Sequence, residues 1–510
     1  MHLNVKFYNN KQSLLLPPSI EDYLPEGDLA RVIDEVVELL DLSVLYEKVP
    51  DKGRPSYHPK MLTKILFYGY AVQTRSSRKI HKRLFTDVAF IFLAGMQQPD
   101  FRTISDFRKN NLEELTEIFA QIVQICHQLG MVKIGSVSLD SKVFKANASP
   151  AKSYTDENLV KEHKRISERI KKFLQKSNQI DEEEDRLYGS DKCGDELPDK
   201  ISTKEKRLRK LQKAKENLEQ ALNRLKEQNT NKINITDNDA RVQKDKGRKY
   251  PGYRGQIVVD EEEQIIITQD ITNEQGDTNQ LIPMVDKTID TIKELTDHRE
   301  TLTDSDDNKP KFLTDCGYNS LANLGKLKSR DTIDPYIPDK IQQAREHGHK
   351  TKEEEPFHKN KFIFQPEEKC FLCPAGKKLK FSRFVKERGG EEAAVYKCKC
   401  SDCRNCTYFG ICTQSKRGRT IRIYEHEHLL KEMRKKLSTL EGKKIYRSRK
   451  CTVEPVFGNI AQNLGFREFL LRGTRKVKGE FSLICIAHNL LKITRYAKRK
   501  HLSITECYSY

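Results

Sequence analysis

IGSVSLD (134–140), GQIVVD (255–260) and QIIITQDIT (264–272) are the stretches that decide the fold. Each is a short run rich in Val and Ile, bounded by turn-forming or acidic residues, and each reads as a strand. Only the acidic turn Glu261-Glu262-Glu263 separates the second from the third, so these two form a hairpin. After it, Thr278 can cap a helix in which Leu281, Met284, Val285, Thr288, Ile289, Ile292 and Leu295 recur along one face. KFLTD, ending at Asp315, and YIP around Ile337 read as two further short strands. Strands first, then helix and strand in alternation, indicate an α/β fold: a mixed sheet covered by helices.

Working outward, Pro25 to Gly130 is helical throughout, with Val32, Val36, Val37, Leu39 and Leu40, then Leu62, Ile65, Leu66 and Tyr70, at three- and four-residue spacing. Within this all-α region an apolar helix precedes a basic segment carrying Arg75, Arg78, Lys79, Lys82 and Arg83. Two short helices with such a face suit DNA binding in a helix-turn-helix manner, and a solvated helix face is the alternative.

Two segments interrupt the sheet. The first, 157–236, is charge-dense and helical, with Leu211, Leu218 and Leu225 spaced by seven and Leu208 and Leu222 between them. Breaks at Cys193-Gly194 and Leu197-Pro198 make it a helical hairpin, open to a DNA contact, a dimer contact or a plain spacer role. The second, 341–420, begins with HGHKTKEEEP and holds a cysteine cluster. From Ile423 the chain is helical and basic, and YRSRKCTVEPVFGNIAQNLGFREFLLRG (446–473) places Glu454 among Arg447, Arg449, Lys450, Arg467 and Arg472. The expected organisation is a helical domain over 1–130, core segments at 131–156 and 237–340, the insertions at 157–236 and 341–420, a third, helical part of the core at 421–500, and a tail over 501–510.

Among 510 residues, 93 Lys and Arg against 74 Asp and Glu leave a net charge of +19. That balance favours a polyanionic partner, nucleic acid first, because each cation placed on a phosphate releases condensed counterions. Mean hydropathy is −0.74 and no run approaches about 20 apolar residues, which excludes a membrane-spanning helix. Met1 to Leu16 lacks the uninterrupted apolar core of a signal peptide, so a cytoplasmic protein is expected.

Seven of the thirteen cysteines fall between Cys370 and Cys412, spaced Cys370-x2-Cys373 and Cys398-x-Cys400-x2-Cys403-x2-Cys406-x5-Cys412. In an unexported chain such crowding reads as zinc binding, since Cys-x2-Cys knuckles place two thiolates on one tight turn. Zinc would staple an insertion too polar to build its own core. Cys316 and Cys451 are expected to pack as small apolar side chains, and His58, His426 and His428 are assigned no role.

Asp140 and Asp315 stand at the ends of β-like runs, where ligands gather in open α/β sheets. With Glu454 delivered from a helix, three hard oxygen donors could hold two Mg²⁺ about 3.5–4 Å apart, stabilising the attacking and leaving oxygens of a phosphodiester exchange.

The pieces LLPPSIEDYLPEGDLARVID, YHPKMLTKILFYGY, SSRKIHKRLFTDVAFIFLAGMQQPDFRTISDFR, VSLDSKVFKANAS, LTDCGYNS and VEPVFGNIAQNLGFREFLLRG followed by AHNLLK, in this order, resemble the DDE transposases of bacterial insertion sequences. The resemblance covers most of the chain and is to the group with an InsH-like N-terminal domain and a ribonuclease H-like catalytic domain with a cysteine-rich insertion. It implies that the acidic triad falls on Asp140, Asp315 and Glu454 and that the two interruptions are insertions into a ribonuclease H-like sheet. It also implies Mg²⁺-dependent cleavage at the element's ends and joining of the 3′-hydroxyl to target DNA. Two ends require two active sites, hence a homodimer or larger complex on double-stranded DNA.

Related transposases often carry a Lys seven residues after the catalytic Glu; here that position is Ala461, followed by Gln462. Their upstream Tyr-Arg pair is represented by Tyr446 with Arg449 or Lys450. Phosphate positioning then falls to Arg449, Lys450, Arg467 or Arg472. Similarity to CPAG and CxxCxxxxxC segments of relatives selects Cys373, Cys403, Cys406 and Cys412 as the zinc ligands. A DNA-binding protein without catalysis, or a nuclease of the same fold without strand transfer, would share these features.

Overall fold

The computed structural model describes residues 19–50, 52–53, 55–188, 200–227, 230–245, 247–296, 309–346, 348–386 and 392–505, without the side chains of 176–206. The chain divides into two compact units. One comprises Met1–Met131, Asn459–Phe466 and Ser482–Tyr510; the other comprises Val132–Gly458 and Arg467–Phe481.

In the first unit the expected helices form as α1 (Leu29–Glu38), α2 (Ser43–Tyr46), α3 (Pro59–Ala71), α4 (Ser77–Arg83), α5 (Val88–Leu93), α6 (Phe101–Asn110) and α7 (Glu114–Gln128). α1 starts where the Asp28 carboxylate accepts from Ala30 N at 2.8 Å, and it buries Ala30, Val32, Ile33, Val36 and Val37. The unit also takes in the end of the chain. Ser482 Oγ lies 3.1 Å from Thr116 Oγ1, and Ile504 N donates to Glu35 Oε2 at 2.9 Å. The boundary at residue 130 therefore leaves out part of this unit, because the apolar residues after Ser482 are buried among the N-terminal helices.

The second unit begins with β1 (Ser136–Lys145) and β2 (Ser153–Tyr154), then α8 (Asp156–Tyr188) and α9 (Lys200–Glu227), the two arms of the expected helical insertion. Leu159, Ile166, Leu218, Ala221 and Leu225 form the core between the arms; the breaks expected at Cys193-Gly194 and Leu197-Pro198 lie outside the described residues. There follow β3 (Ile233–Asn234), β4 (Arg241–Asp245), β5 (Arg248–Asp260), β6 (Ile266–Thr272), α10 (Leu281–Thr296), β7 (Lys311–Leu313), α11 (Leu321–Leu327), β8 (Asp334–Tyr336) and α12 (Lys340–Glu346).

β5 pairs antiparallel with β1 along one edge, while β4 and β6 share its other edge; β1, β7 and β8 then run parallel to one another. The seven α10 positions read from the sequence are all buried. Thr278 differs from expectation. It lies in a 3-10 turn before α10, and its hydroxyl donates to Gly317 O at 3.0 Å rather than capping the helix. Gly255 has no room for a side chain, since a Cβ there would stand 2.6 Å from Phe481 Cζ.

The cysteine-rich segment is more structured than its polarity suggests. It forms a second, wholly antiparallel sheet from β9 (Ile363–Gln365), β10 (Cys370–Leu372), β11 (Lys378–Lys386), β12 (Glu392–Cys398) and, after α13 (Cys400–Arg404), β13 (Thr420–Tyr424). Phe362, Leu379, Cys398, Cys403 and Ile421 form its small core, so the expectation that it builds none is corrected. The strand β13 also carries the insertion to Tyr424, past its expected end at 420 and past Ile423, where helix was expected to begin. Three helices follow: α14 (Glu427–Ser438), α15 (Leu440–Gln462) and α16 (Thr474–Lys500).

Candidate active site

The parallel register of β1 on β7 aligns Ser138 with Leu313. Asp140 and Asp315 each lie two residues further along, so their side chains leave neighbouring chain segments at the same level. Asp140 is not a strand end, as the sequence suggested, because β5 continues to pair with β1 as far as Lys145. It stands instead where the parallel partner stops. Asp315 caps the 3-10 turn Cys316–Tyr318, its Oδ1 accepting from Gly317 N at 2.8 Å, and Asp140 Oδ1 accepts from Ser141 N at 2.7 Å.

α15 supplies the third carboxylate and a cation. Arg449 Nη1 is 3.4 Å from Asp140 Oδ2, and Nη2 is 3.9 Å from Glu454 Oε1. Asp315 adds its charge to the same guanidinium, so all three acids act on one buried arginine. Burial is the main reason that the Asp140 carboxyl is pushed up to about 6; Arg449 and the Ser141 N–H oppose the rise, and Asp315 adds to it. Asp315 is raised likewise, chiefly by burial. Burial works against the Arg449 charge, yet Asp140, Tyr446, Asp315 and Glu454 together outweigh it and raise its pKa.

Two residues that the sequence reading passed over fix the helix carrying Glu454. Pro455 lies inside α15 and has no N–H to offer Cys451 O one turn back. Gln264, in the β5–β6 turn, donates to that carbonyl through Nε2 at 2.8 Å. On the next turn Lys142 Nζ, from β1, reaches Phe457 O at 3.2 Å. A Pro directly after the acid was the available signal that the helix needs outside help at this point.

The candidate DNA contacts fall into two groups. Arg78, Lys79 and Lys82 are exposed on α4; Arg78 lies 3.9 Å over the Phe101 ring, and half-buried Arg83 is 3.7 Å from Asp87. Lys450, Arg467 and Arg472 are also exposed, with Arg472 Nε donating to Asn147 O at 2.9 Å. Arg449 is buried and directed into the acids, unlike an open phosphate contact. Tyr446 OH donates to Thr314 O at 3.1 Å, and burial pushes its phenol up to about 12.

Cys373, Cys398, Cys403, Cys406 and Cys412 line one small cavity of about 20 Å³. Lys377 N donates to Cys373 Sγ at 3.2 Å and Arg419 N to Cys403 Sγ at 3.3 Å. Cys370 and Cys400 point elsewhere, to Glu368 and to Arg417 O. Among the described residues no three or more His, Cys, Asp or Glu side chains are drawn close enough to hold a metal ion. Neither Cys316 nor Cys451 packs as a buried apolar side chain. Cys451 is exposed, and half-exposed Cys316 donates to Gln343 Oε1 at 2.9 Å.

Two family profiles match the chain: a transposase DDE domain over residues 372–494, and a transposase domain (DUF772) over residues 18–110. The first contains Glu454 and all but one of the clustered cysteines, whereas Asp140 and Asp315 lie outside both. No curated protein and no solved structure matches. A DDE domain implies a divalent metal ion, typically Mg²⁺. No described helix is long and apolar enough to cross a membrane. A transposase DDE domain over 372–494 and a second transposase domain over 18–110 together support a DDE transposase of an insertion sequence.

Proposed function

We propose that this transposase binds the ends of its own insertion sequence as double-stranded DNA, cleaves there by metal-dependent hydrolysis, and joins the freed 3′-hydroxyl to target DNA. The observation that carries the reading is the arrival of Asp140, Asp315 and Glu454 around Arg449, from strand β1, the segment just after β7, and helix α15. We take the strand order β6-β5-β1-β7-β8, three antiparallel then two parallel, as a ribonuclease H-like core.

The donor set suits a hard divalent cation. All three groups are carboxylates, two of them made costly to ionise by burial. The contacts of Asp140 and Glu454 with Arg449, at 3.4 and 3.9 Å, are too long to saturate those oxygens. Asp140, Asp315 and Glu454 would hold Mg²⁺, in the two-metal arrangement of phosphodiester exchange; when bound, it supplies the charge that activates the attacking oxygen and stabilises the leaving one. Arg449 offsets the acids' mutual repulsion. Gln264 and Lys142 keep α15 in place as the acids change partners. Arg78, Lys79, Lys82, Arg83, Lys450, Arg467 and Arg472 engage backbone phosphates, and Tyr446 orients Arg449.

A structural Zn²⁺ is the second part of the proposal, on Cys373, Cys403, Cys406 and Cys412. The four sulfurs face one cavity, and N–H donors at two of them favour the thiolate. Two element ends call for a homodimer or larger complex on DNA, at the bacterial nucleoid.

The test is Mg²⁺-dependent cleavage and joining of DNA carrying the element's flanking ends, for the unaltered chain beside Asp315→Asn. Loss of both products in the variant, with end binding retained, is expected. End binding without product in Mg²⁺ or Mn²⁺ by the unaltered chain would leave a DNA-binding protein without catalysis, and cleavage without joining would leave a nuclease.

A further inference from the structure

The second sheet carries an uncovered row of aromatic rings. Register places Phe364 opposite Phe371, Phe371 opposite Leu379, and Phe381 opposite Tyr396. A bulge between Phe381 and Arg383 then shifts the phase of β11, so that Phe384, opposite Ala394, returns to the same face. The ring centroids follow one another at 4.9 Å (Phe364 to Phe371), 4.8 Å (Phe371 to Tyr396), 5.8 Å (Tyr396 to Phe381) and 5.0 Å (Phe381 to Phe384). Phe364, Phe381 and Phe384 are 44%, 46% and 70% exposed. A contiguous exposed aromatic strip is uncommon on a folded surface and marks a contact site.

The charge around the strip selects its partner. Between Lys359 and Tyr424 the chain carries sixteen Lys and Arg against six Asp and Glu, which is ten of the nineteen net positive charges of the molecule. Lys386 shares the aromatic face with Glu392 opposite it, and an open groove lined by Phe364, Phe371 and Tyr396 continues past Glu425 to Lys431 and to Lys359, which pairs with Glu427 at 2.9 Å, so the net positive charge comes from the segment as a whole. Lys380, Lys397 and Arg422 alternate onto the opposite face, roughly within a Debye length of any strand laid on the rings. Two copies of such a cationic sheet repel each other, which disfavours self-association through it. A duplex hides its bases and offers flat rings nothing to stack on. Unpaired bases on a polyanionic backbone meet both features at once.

We propose that this face binds single-stranded DNA, with bases stacking on Phe364, Phe381 and Phe384 and the surrounding lysines and arginines drawing in the backbone. The inference rests on the transposase reading for the origin of the strand, an end opened near the cut, but not for the binding itself.

The test uses the full chain and fluorescence anisotropy with a labelled oligothymidylate of about 20 nucleotides, a length that covers one such platform, beside a duplex of the element end. Phe381→Ala/Phe384→Ala is expected to weaken oligothymidylate binding about tenfold or more while leaving duplex affinity and its salt dependence unchanged. Phe381→Tyr/Phe384→Tyr, which keeps the ring faces, is expected to bind as the unaltered chain does. Unchanged oligothymidylate affinity in a normally melting alanine variant overturns the proposal, as does the absence of binding by the unaltered chain. A fall in sedimenting mass with oligothymidylate affinity intact also overturns it, making the face a contact between copies. Should the double alanine variant lose cooperative melting, Phe384→Ala alone is read by the same criteria. End cleavage measured in parallel keeps the outcomes apart: cleavage with no effect of the phenylalanines sinks only this inference, and strand binding without cleavage sinks only the catalytic reading.

Discussion

Arg449 shows how one residue couples stability to the chemistry. Its side chain is 9% exposed and stands between acids that burial already makes costly to ionise. Arg449→Ala should lower stability on the order of 3 kcal/mol in metal-free buffer, because the carboxylates lose their counter-charge. Added Mg²⁺ should raise the melting temperature of that variant more than that of the unaltered chain, and equal shifts would separate the arginine from the metal site. Asp260 offers a pH test away from the site. Burial pushes its carboxyl up to about 6, although Ile134 N at 3.0 Å and Glu262 N at 3.1 Å donate to it. A carboxyl raised in the fold stabilises below its unfolded pKa, and that contribution is lost as pH rises through the folded value. From pH 4 to pH 7 the unaltered chain should therefore lose roughly 2–3 kcal/mol that Asp260→Asn does not lose, measured by denaturant unfolding at each pH. Asp140 and Asp315 were legible as acids beside β-like runs, and Glu454 as an acid in a basic helical segment. The loading of all three on Arg449 was not, because a chain pattern carries no distances between residues that are 309 positions apart.

At the scale of elements, α15 depends on the β5–β6 turn. Gln264→Ala should cost about 0.5–1 kcal/mol, since Cys451 O then loses its donor beside a helical proline. In a Pro455→Ala background the helix supplies its own N–H, so the same Gln264→Ala change should cost close to nothing. A double-mutant cycle by thermal unfolding measures that coupling, and additive effects would remove Gln264 as a support of Glu454. α10 was fully legible, because a period of 3.6 with one apolar face has a single way to be buried. β11 was hidden. Its alternation KLKFSRFVK changes phase at the bulge, and long cationic side chains cover the pattern that a period-two search looks for. Thr278 had the residue type and position of a cap, but Gly317 O, brought by the chain after β7, competes for its hydroxyl.

At the scale of the molecule, the cysteine segment is the part whose order should depend on an ion. Purified protein is expected to hold one Zn²⁺ per chain by elemental analysis, and a chelator should lower the melting temperature and abolish protection of β11 and β12 from hydrogen exchange. Full zinc loss with unchanged protection would make the cavity an ordinary packing of thiols. Net charge, the helical N-terminal region, the mixed sheet, the two interruptions and the crowding of cysteines were determined by the sequence alone. Each follows from composition or from short-range periodicity, which a chain displays whether or not it is folded. Tertiary structure alone decided that Asp140 and Asp315 stand at one level on neighbouring segments, that Arg449 turns inward, that Gln264 completes the helix of Glu454, and that five aromatic rings share one face. Those relations are set by strand register and by hydrogen bonds between distant segments, which come into being only when the chain closes on itself.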